Sequence, residues 1–425
     1  MDTPRRVQET GPGGCQRILT KAGYLLAVRK LLRPLSVVAG VCAVLPATAL
    51  AGPPPTLTAG VAAYTVDVNV PDGNPGTKVF YSEGLSAAAV LPKALAEAAS
   101  VLPGAKPANV IADKDGHVVW RYEPPAGQDV SNFRTQTYQG HKVLTWWQGT
   151  TGIGHGSGAD YIADEHYDII ATLTPGEGYT SDVHEFRLTP DGRALITSYR
   201  EVPADLTAIG GPADGTVLDT VASIVDVASG NVLFRWSALD HVPLTDTRVP
   251  KPQTPGSATD PYHMNSIALD PQGNLVISMR DTSTVYDVDV HTGDIRWQLG
   301  GAHSTFELGP GIGFAYQHDA EFADDTTLRL FANNSAEPTS SLGPSSVEWI
   351  HLDFAARRAA LVRDQPHPQQ LTAYAMGNAQ GLPDGSTLVG WGTASHISEF
   401  SASGQMLYDA RLPSGTYRAY LDAWP

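Results

Sequence analysis

The sequence predicts an all-β fold, a six-bladed β-propeller with a small N-terminal β-containing extension. Three observations predict it. The stretch Tyr262–Gly301 reads as four short strands, their period-two alternation broken by Gly-containing turns at 271–273 and 291–293, which marks antiparallel strands. The design then recurs. His184-Glu185-Phe186 leads into a hairpin ending on Arg200, His318-Asp319-Ala320 into one ending on Asn333-Asn334, and Phe133 and Asn378 open two more. Outer hairpins follow at 109–122, 223–236, 348–362 and 397–408, and a repeated four-strand unit is a propeller blade. Finally, 42 Gly, 32 Pro and only 17% charged residues, with no long helical period, suit a turn-rich β protein. Five inner hairpins against six outer ones fit a first blade closed by both chain ends.

Taken in order, residues 1–51 are not fold. Arg29, Lys30 and Arg33 precede the apolar run 35–50, which ends in Ala49-Leu50-Ala51. That is a secretory signal peptide cut before Gly52, with 1–27 an upstream extension and Val28 an alternative start. The run contains Pro46 and is too short for a spanning helix. The expected address is secreted or cell-envelope. Both cysteines, Cys15 and Cys42, fall in this removed segment, so the mature chain has no disulfide, no cysteine nucleophile and no cysteine metal site. Residues 52–105 read as a small N-terminal segment packed on the propeller, with strands over 61–70 and 78–82 and a helix over 87–102. Blades occupy 106–425. The Gly-rich Thr150–Gly158 lacks the Lys-Ser/Thr and following helix of a phosphate loop, and reads as a mobile loop over one propeller face. The net charge of −16, about −21 without the leader, argues against nucleic acid or an anionic membrane surface as partner. A small anion at a local site is compatible with it.

His184, His263 and His318 each stand just before the innermost strand of three successive blades, where propeller repeats converge on the channel mouth. His184 and His318 have the same spacing to their turns, and His263 sits two residues further from its own. Arg280 ends the second strand of its hairpin, and antiparallel pairing returns that end beside His263. Asn265 follows His263 by two residues and so shares its face. Three imidazoles, an amide and a guanidinium, with no carboxylate at matching positions, describe an anion site. A three-histidine zinc site competes, but Arg280 would repel a dication. Taken singly, each histidine also reads as a satisfied polar residue at a strand end. Arg200 matches Arg280 by repeat position, and Glu201 or Asp205 could pair with it. His155, His166, His241, His303, His351, His367 and His396 match no such pattern and read as surface or structural.

The segments DVHEFRLTPDGRALITSY, DPYHMNSIALD, GNLVISMRDTSTVYDVD, TGDIRWQLGG and FAYQHDAEF together resemble the arylsulfotransferase (ASST) family of secreted proteins, in its actinobacterial and fungal branch. The resemblance covers roughly 106–400. It implies a six-bladed propeller with the active site in the central channel, and PAPS-independent transfer of a sulfuryl group from a phenolic sulfate ester to a phenol through a sulfohistidine. Carried over by matched motif, His318 in QHDA takes the nucleophile's position, His263 and Asn265 in YHMNS and Arg280 in SMRDTS the sulfate-binding positions, and His184 in DVHEF a further catalytic histidine. No cofactor and no metal are implied. The implied partners are an aryl sulfate donor and a phenolic acceptor, with no nucleic acid and no stable membrane insertion; the oligomeric state is left open. The alternative is a non-catalytic secreted propeller that binds an anionic small molecule in its channel. A quinoprotein-like dehydrogenase would need acidic metal ligands at the repeat positions.

Overall fold

The structure is a computed structural model that describes residues 62–71, 73–84, 106–152, 154–249, 257–337 and 340–425. The leader read over 1–51 and the helix read over 87–102 lie outside these residues. Six antiparallel sheets form six blades. From the inner strand outward, blade 2 runs Asp129–Tyr138, His141–Thr151, Gly156–Ala163 and Ile169–Leu173, and blade 3 runs Phe186–Leu188, Arg193–Ala204, Gly215–Asp226 and Val232–Ser237. Blade 4 is Met264–Leu269, Leu275–Met279, Thr284–Val288 and Ile295–Gly300. Blade 5 is His318–Phe322, Thr327–Ala332, Ser346–Asp353 and Arg358–Pro366, with the short Glu307–Leu308 parallel on its edge. Blade 6 is Asn378–Gly381, Thr387–Gly390, His396–Phe400 and Met406–Arg411.

Blade 1 closes the ring. Its inner strand, Ala419–Asp422, comes from the C-terminal end and pairs with Lys78–Glu83, which is followed outward by Ala108–Asp113 and Val118–Tyr122. Residues 78–83, read as part of a separate extension, are therefore the second strand of a blade. Thr65–Asn69 is likewise hydrogen-bonded into a sheet, as a fifth strand on Met406–Arg411 of blade 6. The described strands of 52–105 thus belong to the blades' sheets. A blade whose inner strand arrives from the C-terminal end needs its remaining strands from the N-terminal side.

The alternation read from the sequence separates two apolar interfaces rather than core from water. Leu275 and Ile277 pack with Ile224 and Trp236 of blade 3, while Val276 between them packs with Leu328 and Leu330 of blade 5. One such cluster lies between each pair of neighbouring blades around the ring. Successive side chains of a strand point to opposite faces, and each fully buried aliphatic contributes roughly 1.5–3 kcal/mol. Among the described residues, no helix is long and apolar enough to cross a membrane.

One buried carboxyl in blade 5 is held at a cost. Glu348 is buried, faces Asp364 in the strand register, and has an unpartnered Oε2. Burial, and then the Asp364 charge, push it up to about 8. A raised acid makes the folded state bind more protons than the unfolded one, so stability is highest below the ordinary glutamate value and falls as pH rises through about 8. Glu348→Gln should remove that fall, stabilising the protein at pH 9 by on the order of 3 kcal/mol while changing little at pH 5. Denaturant midpoints at the two pH values measure it; equal shifts at both would show that the carboxyl does not titrate late.

Candidate active site

The inner strands reach the channel through distortions that re-aim their side chains. Register shifts fall at Ser131/Arg134, Met264/Ser266 and His318/Glu321 in blades 2, 4 and 5. Left-handed residues accompany them: Asn132 at φ 58°, His263 at φ 54° and Asp319 at φ 51°. Bulges bend a strand and redirect one residue, and a non-glycine residue in this region stores strain. His263, two residues further from its turn than its counterparts, enters its strand through that strained conformation.

The three predicted histidines converge. The rings of His184 and His263 lie 4.9 Å apart and nearly perpendicular. Tyr417 stands between the others, 5.5 Å from His184 and 6.3 Å from His318, and Tyr199 flanks His184 and His263 at 5.8 and 6.1 Å. Arg280 is brought back to His263 as the antiparallel argument required, its backbone N–H donating to the His263 carbonyl at 2.9 Å. Its guanidinium lies over the Tyr316 ring at 4.8 Å and donates through Nη1 to Asp281 at 2.8 Å, and its buried Nε has no partner. Asn265 also reaches the channel wall, but its Nδ2 donates to the Gln317 carbonyl of the blade 5 entrance at 2.7 Å, which leaves its buried Oδ1 unpartnered. Arg200 is engaged by Asp219 at 3.2 Å and by the Tyr179 hydroxyl at 2.6 Å, not by Glu201 or Asp205.

Carboxylates back two of the histidines, although none stands at a matching position of the repeat. They come from the turns before the strands, where comparison of strand positions does not look. Asp182 accepts from both the backbone N–H and Nδ1 of His184. Asp260 accepts from the backbone N–H of His263 at 2.9 Å and from its Nδ1 at 2.6 Å. His318 differs. Its Nδ1 faces Oδ1 of Asn333 at 2.7 Å, and the Asn333 amide nitrogen donates to the Ala373 and Met376 carbonyls at 2.8 and 2.9 Å. Those two carbonyls identify the nitrogen end of the amide, so Oδ1 is the acceptor and His318 carries its proton on Nδ1. Its Nε2 keeps the lone pair, to which the Met376 N–H donates over a long 3.3 Å.

The electrostatics act alike on His318 and His263. Burial, together with Arg280 and the other two imidazoles, holds His318 well below the usual imidazole range, with the Asn333 bond opposing. His263 is also pushed well down, chiefly by burial. Burial would raise Asp182, but His184 and the Gly156 N–H outweigh it and hold its carboxyl low. Burial raises Asp260 and Asp281. The Tyr199 and Tyr417 phenols are pushed far up by burial and stay neutral.

Beneath the histidines lies a charged layer. Glu185 accepts from Arg134 at 2.9 Å and from Arg418 at 2.8 Å; Arg187 pairs with Glu321 and Asp319. Arg418 also donates to the Asn265 carbonyl at 3.0 Å. A cavity of about 480 Å³, lined in part by Arg134, Arg187, Glu321 and Tyr420, opens towards the other end of the inner strands.

Two clusters among the described residues place three possible metal ligands together. In Asp260, His263 and Asp281 the Arg280 guanidinium already pairs with Asp281, and a dication there would be repelled. In His367, His396 and Asp409, the Gln369 N–H donates to His367 Nδ1 at 3.1 Å. The His367 proton therefore sits on Nε2, which faces Asp409 at 3.3 Å. A metal on Nε2 would need that proton on Nδ1, against the Gln369 N–H. Neither donor set fits a metal.

The sequence reading missed Tyr417 and Arg418, Asn333, and His155. His155 lies at the tip of the Gly-rich stretch, which is a paired hairpin rather than a free loop.

Comparison with known proteins gives one family. The arylsulfotransferase (ASST) family profile matches residues 134–412. No curated protein matches the chain. Among solved structures, a protein of unknown function from Bacteroides caccae is similar at 12% identity and a TM-score of 0.48, covering 81% of this chain and 98% of that one. A putative 6-phosphogluconolactonase from Bacteroides fragilis is similar at 11% identity and 0.38, covering 83% and 99%. A virginiamycin B lyase from Staphylococcus aureus is similar at 13% identity and 0.34, covering 68% and 74%.

Proposed function

Because the chain belongs to the arylsulfotransferase (ASST) family, we propose that it moves a sulfuryl group from an aryl sulfate to a phenol through a sulfohistidine on His318, as a secreted or cell-envelope protein. The observation that carries the assignment is the partner of each imidazole. His184 faces the stabilised carboxylate Asp182 and His263 faces Asp260, whereas His318 faces a neutral amide. Equivalent groups with different partners are fitted to different roles. A histidine with no carboxylate on Nδ1 stays neutral and offers Nε2 as a nucleophile. A carboxylate on Nδ1 anchors His184 and His263 in place beside the reacting group.

The mechanism follows. Nε2 of His318 attacks sulfur, the N–S bond forms, and the S–O bond to the aryl group breaks with its electron pair leaving on the phenolate. Charge in such a loose transfer spreads over the peripheral oxygens, so positioned cationic donors supply most of the stabilisation. Arg280, with its unpartnered Nε, supplies the cationic donor, and the rings of His263 and His184 line the same site. Asn265 ties blade 4 to blade 5 through Gln317 with one amide N–H and keeps the other for the sulfate clamp. A neighbouring imidazole protonates the phenolate, and an acceptor phenol reverses the steps.

Turnover of an aryl sulfate with a phenolic acceptor tests the reading. Absence of turnover across several donors, with an anion still bound, would favour the non-catalytic channel. Arg280→Ala should lower kcat/KM about a hundredfold, the loss of a charged donor to a developing oxyanion being on the order of 3 kcal/mol, with an unchanged circular dichroism spectrum. Near-full activity in that variant would remove Arg280 from the clamp.

A further inference from the structure

The hairpin 149–158 has no part in the mechanism so far. Its strands pair Gly149 with Gly158, Thr150 with Ser157 and Thr151 with Gly156. Glycine is imposed by close approach: an added Cβ would lie 2.4 Å from the Ser157 carbonyl at Gly149, 2.6 Å from the Trp147 ring at Gly156 and 2.2 Å from the Gln148 carbonyl at Gly158. The hairpin belongs to blade 2 but leans over its neighbours. The Gly156 N–H donates to Asp182 of the blade 3 entrance at 2.7 Å, and a Cβ on Gly154 would stand 3.1 Å from Cε1 of His263 in blade 4.

This places a fourth imidazole at the mouth. The His155 ring stacks on Tyr199, 5.5 Å away and inclined by 21°. It is half-buried, whereas His318 is 2% exposed. The Nδ1 atoms of His184, His263 and His318 are tied to Asp182, Asp260 and Asn333. Nδ1 of His155 is buried without a partner. Of the four imidazoles His155 is the one whose Nδ1 has no fixed partner among the described residues. In the proposed reaction sulfur is held at the deep His318, and His155 is the least buried of the four imidazoles.

We propose that His155 carries the proton of the phenol oxygen, a role that rests on the sulfotransfer reading. As an imidazolium it gives its proton to the phenolate as the S–O bond breaks. As a neutral imidazole it takes the proton of the acceptor phenol as that oxygen attacks sulfur and the N–S electron pair returns to His318.

The test is the acceptor-free burst of the full chain and of His155→Gln, with donors from 4-nitrophenyl sulfate to unsubstituted phenyl sulfate. A weakly basic 4-nitrophenolate needs little protonation; an ordinary phenolate needs much. The loss in the variant should grow along the series, from under about tenfold to a hundredfold or more, the usual worth of general acid catalysis. The 4-nitrophenyl sulfate burst doubles as the control for folding. An equal loss across the series, or none, overturns the role of His155 while a sulfuryl label on the unaltered protein preserves the sulfotransfer reading. No burst and no label on the unaltered protein with any donor sinks that reading, and the proposal with it.

Discussion

Incubated with an aryl sulfate and no acceptor, the protein should release about one phenol per chain as a burst and gain about 80 Da, one SO3, on His318. Mass spectrometry under non-acidic conditions detects the label, because a sulfuryl group on an imidazole nitrogen is lost in acid. His318→Ala should abolish burst and label and lower turnover by at least on the order of a thousandfold, since removing the attacking atom disables a set of groups that act as a unit. His263→Ala should slow the burst without moving the label, because Nδ1 of His263 is committed to Asp260 and the ring's part is to shape the site beside the reacting group. The outcome discriminates between residues that repeat position alone makes equivalent. A label on His184 or His263 would reassign the nucleophile and break the link between an amide partner and nucleophilicity. Normal turnover with no label would point to direct transfer from donor to acceptor.

The blades were legible because each inner hairpin repeats the same pattern within one continuous stretch, from His184, His263 and His318 onward. Arg280 was legible for the same reason, as the return end of a strand already paired on paper. Tyr417 and Arg418 were not, because they precede the single strand Ala419–Asp422, whose partner Lys78–Glu83 lies at the other end of the chain. An inner strand without its hairpin carries no local signal. Asp182 and Asp260 stood in view two and three residues ahead of their histidines, but in turns, where strand periodicity assigns no direction. The Gly-rich hairpin misled in another way. Its glycines looked like freedom, and they are instead what lets two strands and the Trp147 ring approach within a side chain's width. His155 was set aside because it matches no position of the repeat.

Glu185→Ala should destabilise the fold by about 3–5 kcal/mol, the range for removing one partner of a buried ion pair. Glu185 follows His184 and turns into the layer beneath the histidines, where Arg134 of blade 2 and Arg418 of the closing segment both donate to it. Arg418 is fully buried, and without Glu185 its nearest carboxylate is Asp319 at 3.6 Å. Burial would raise Glu185, but Arg418 first, then Arg134 and Arg187, outweigh it and hold the carboxyl down to about 2. A depressed acid makes the unfolded state bind more protons, so its stabilisation is complete above the ordinary glutamate value and is lost as pH falls towards 2. That contribution is on the order of 3 kcal/mol at neutral pH. Urea midpoints for the parent protein and Glu185→Gln between pH 7 and pH 3 measure it: the parent should lose stability across that range faster than the variant. The same variant tests how the floor serves the site. Arg418 also holds the Asn265 carbonyl, and Tyr417 beside it holds that carbonyl through its hydroxyl at 3.1 Å. Loosening Arg418 should therefore disturb Tyr417, which stands between His184 and His318, and slow the burst even where the protein remains folded. A variant with full stability and full burst rate would show that the arginines satisfy each other's neighbours without Glu185, and that the histidine site does not depend on the layer beneath it.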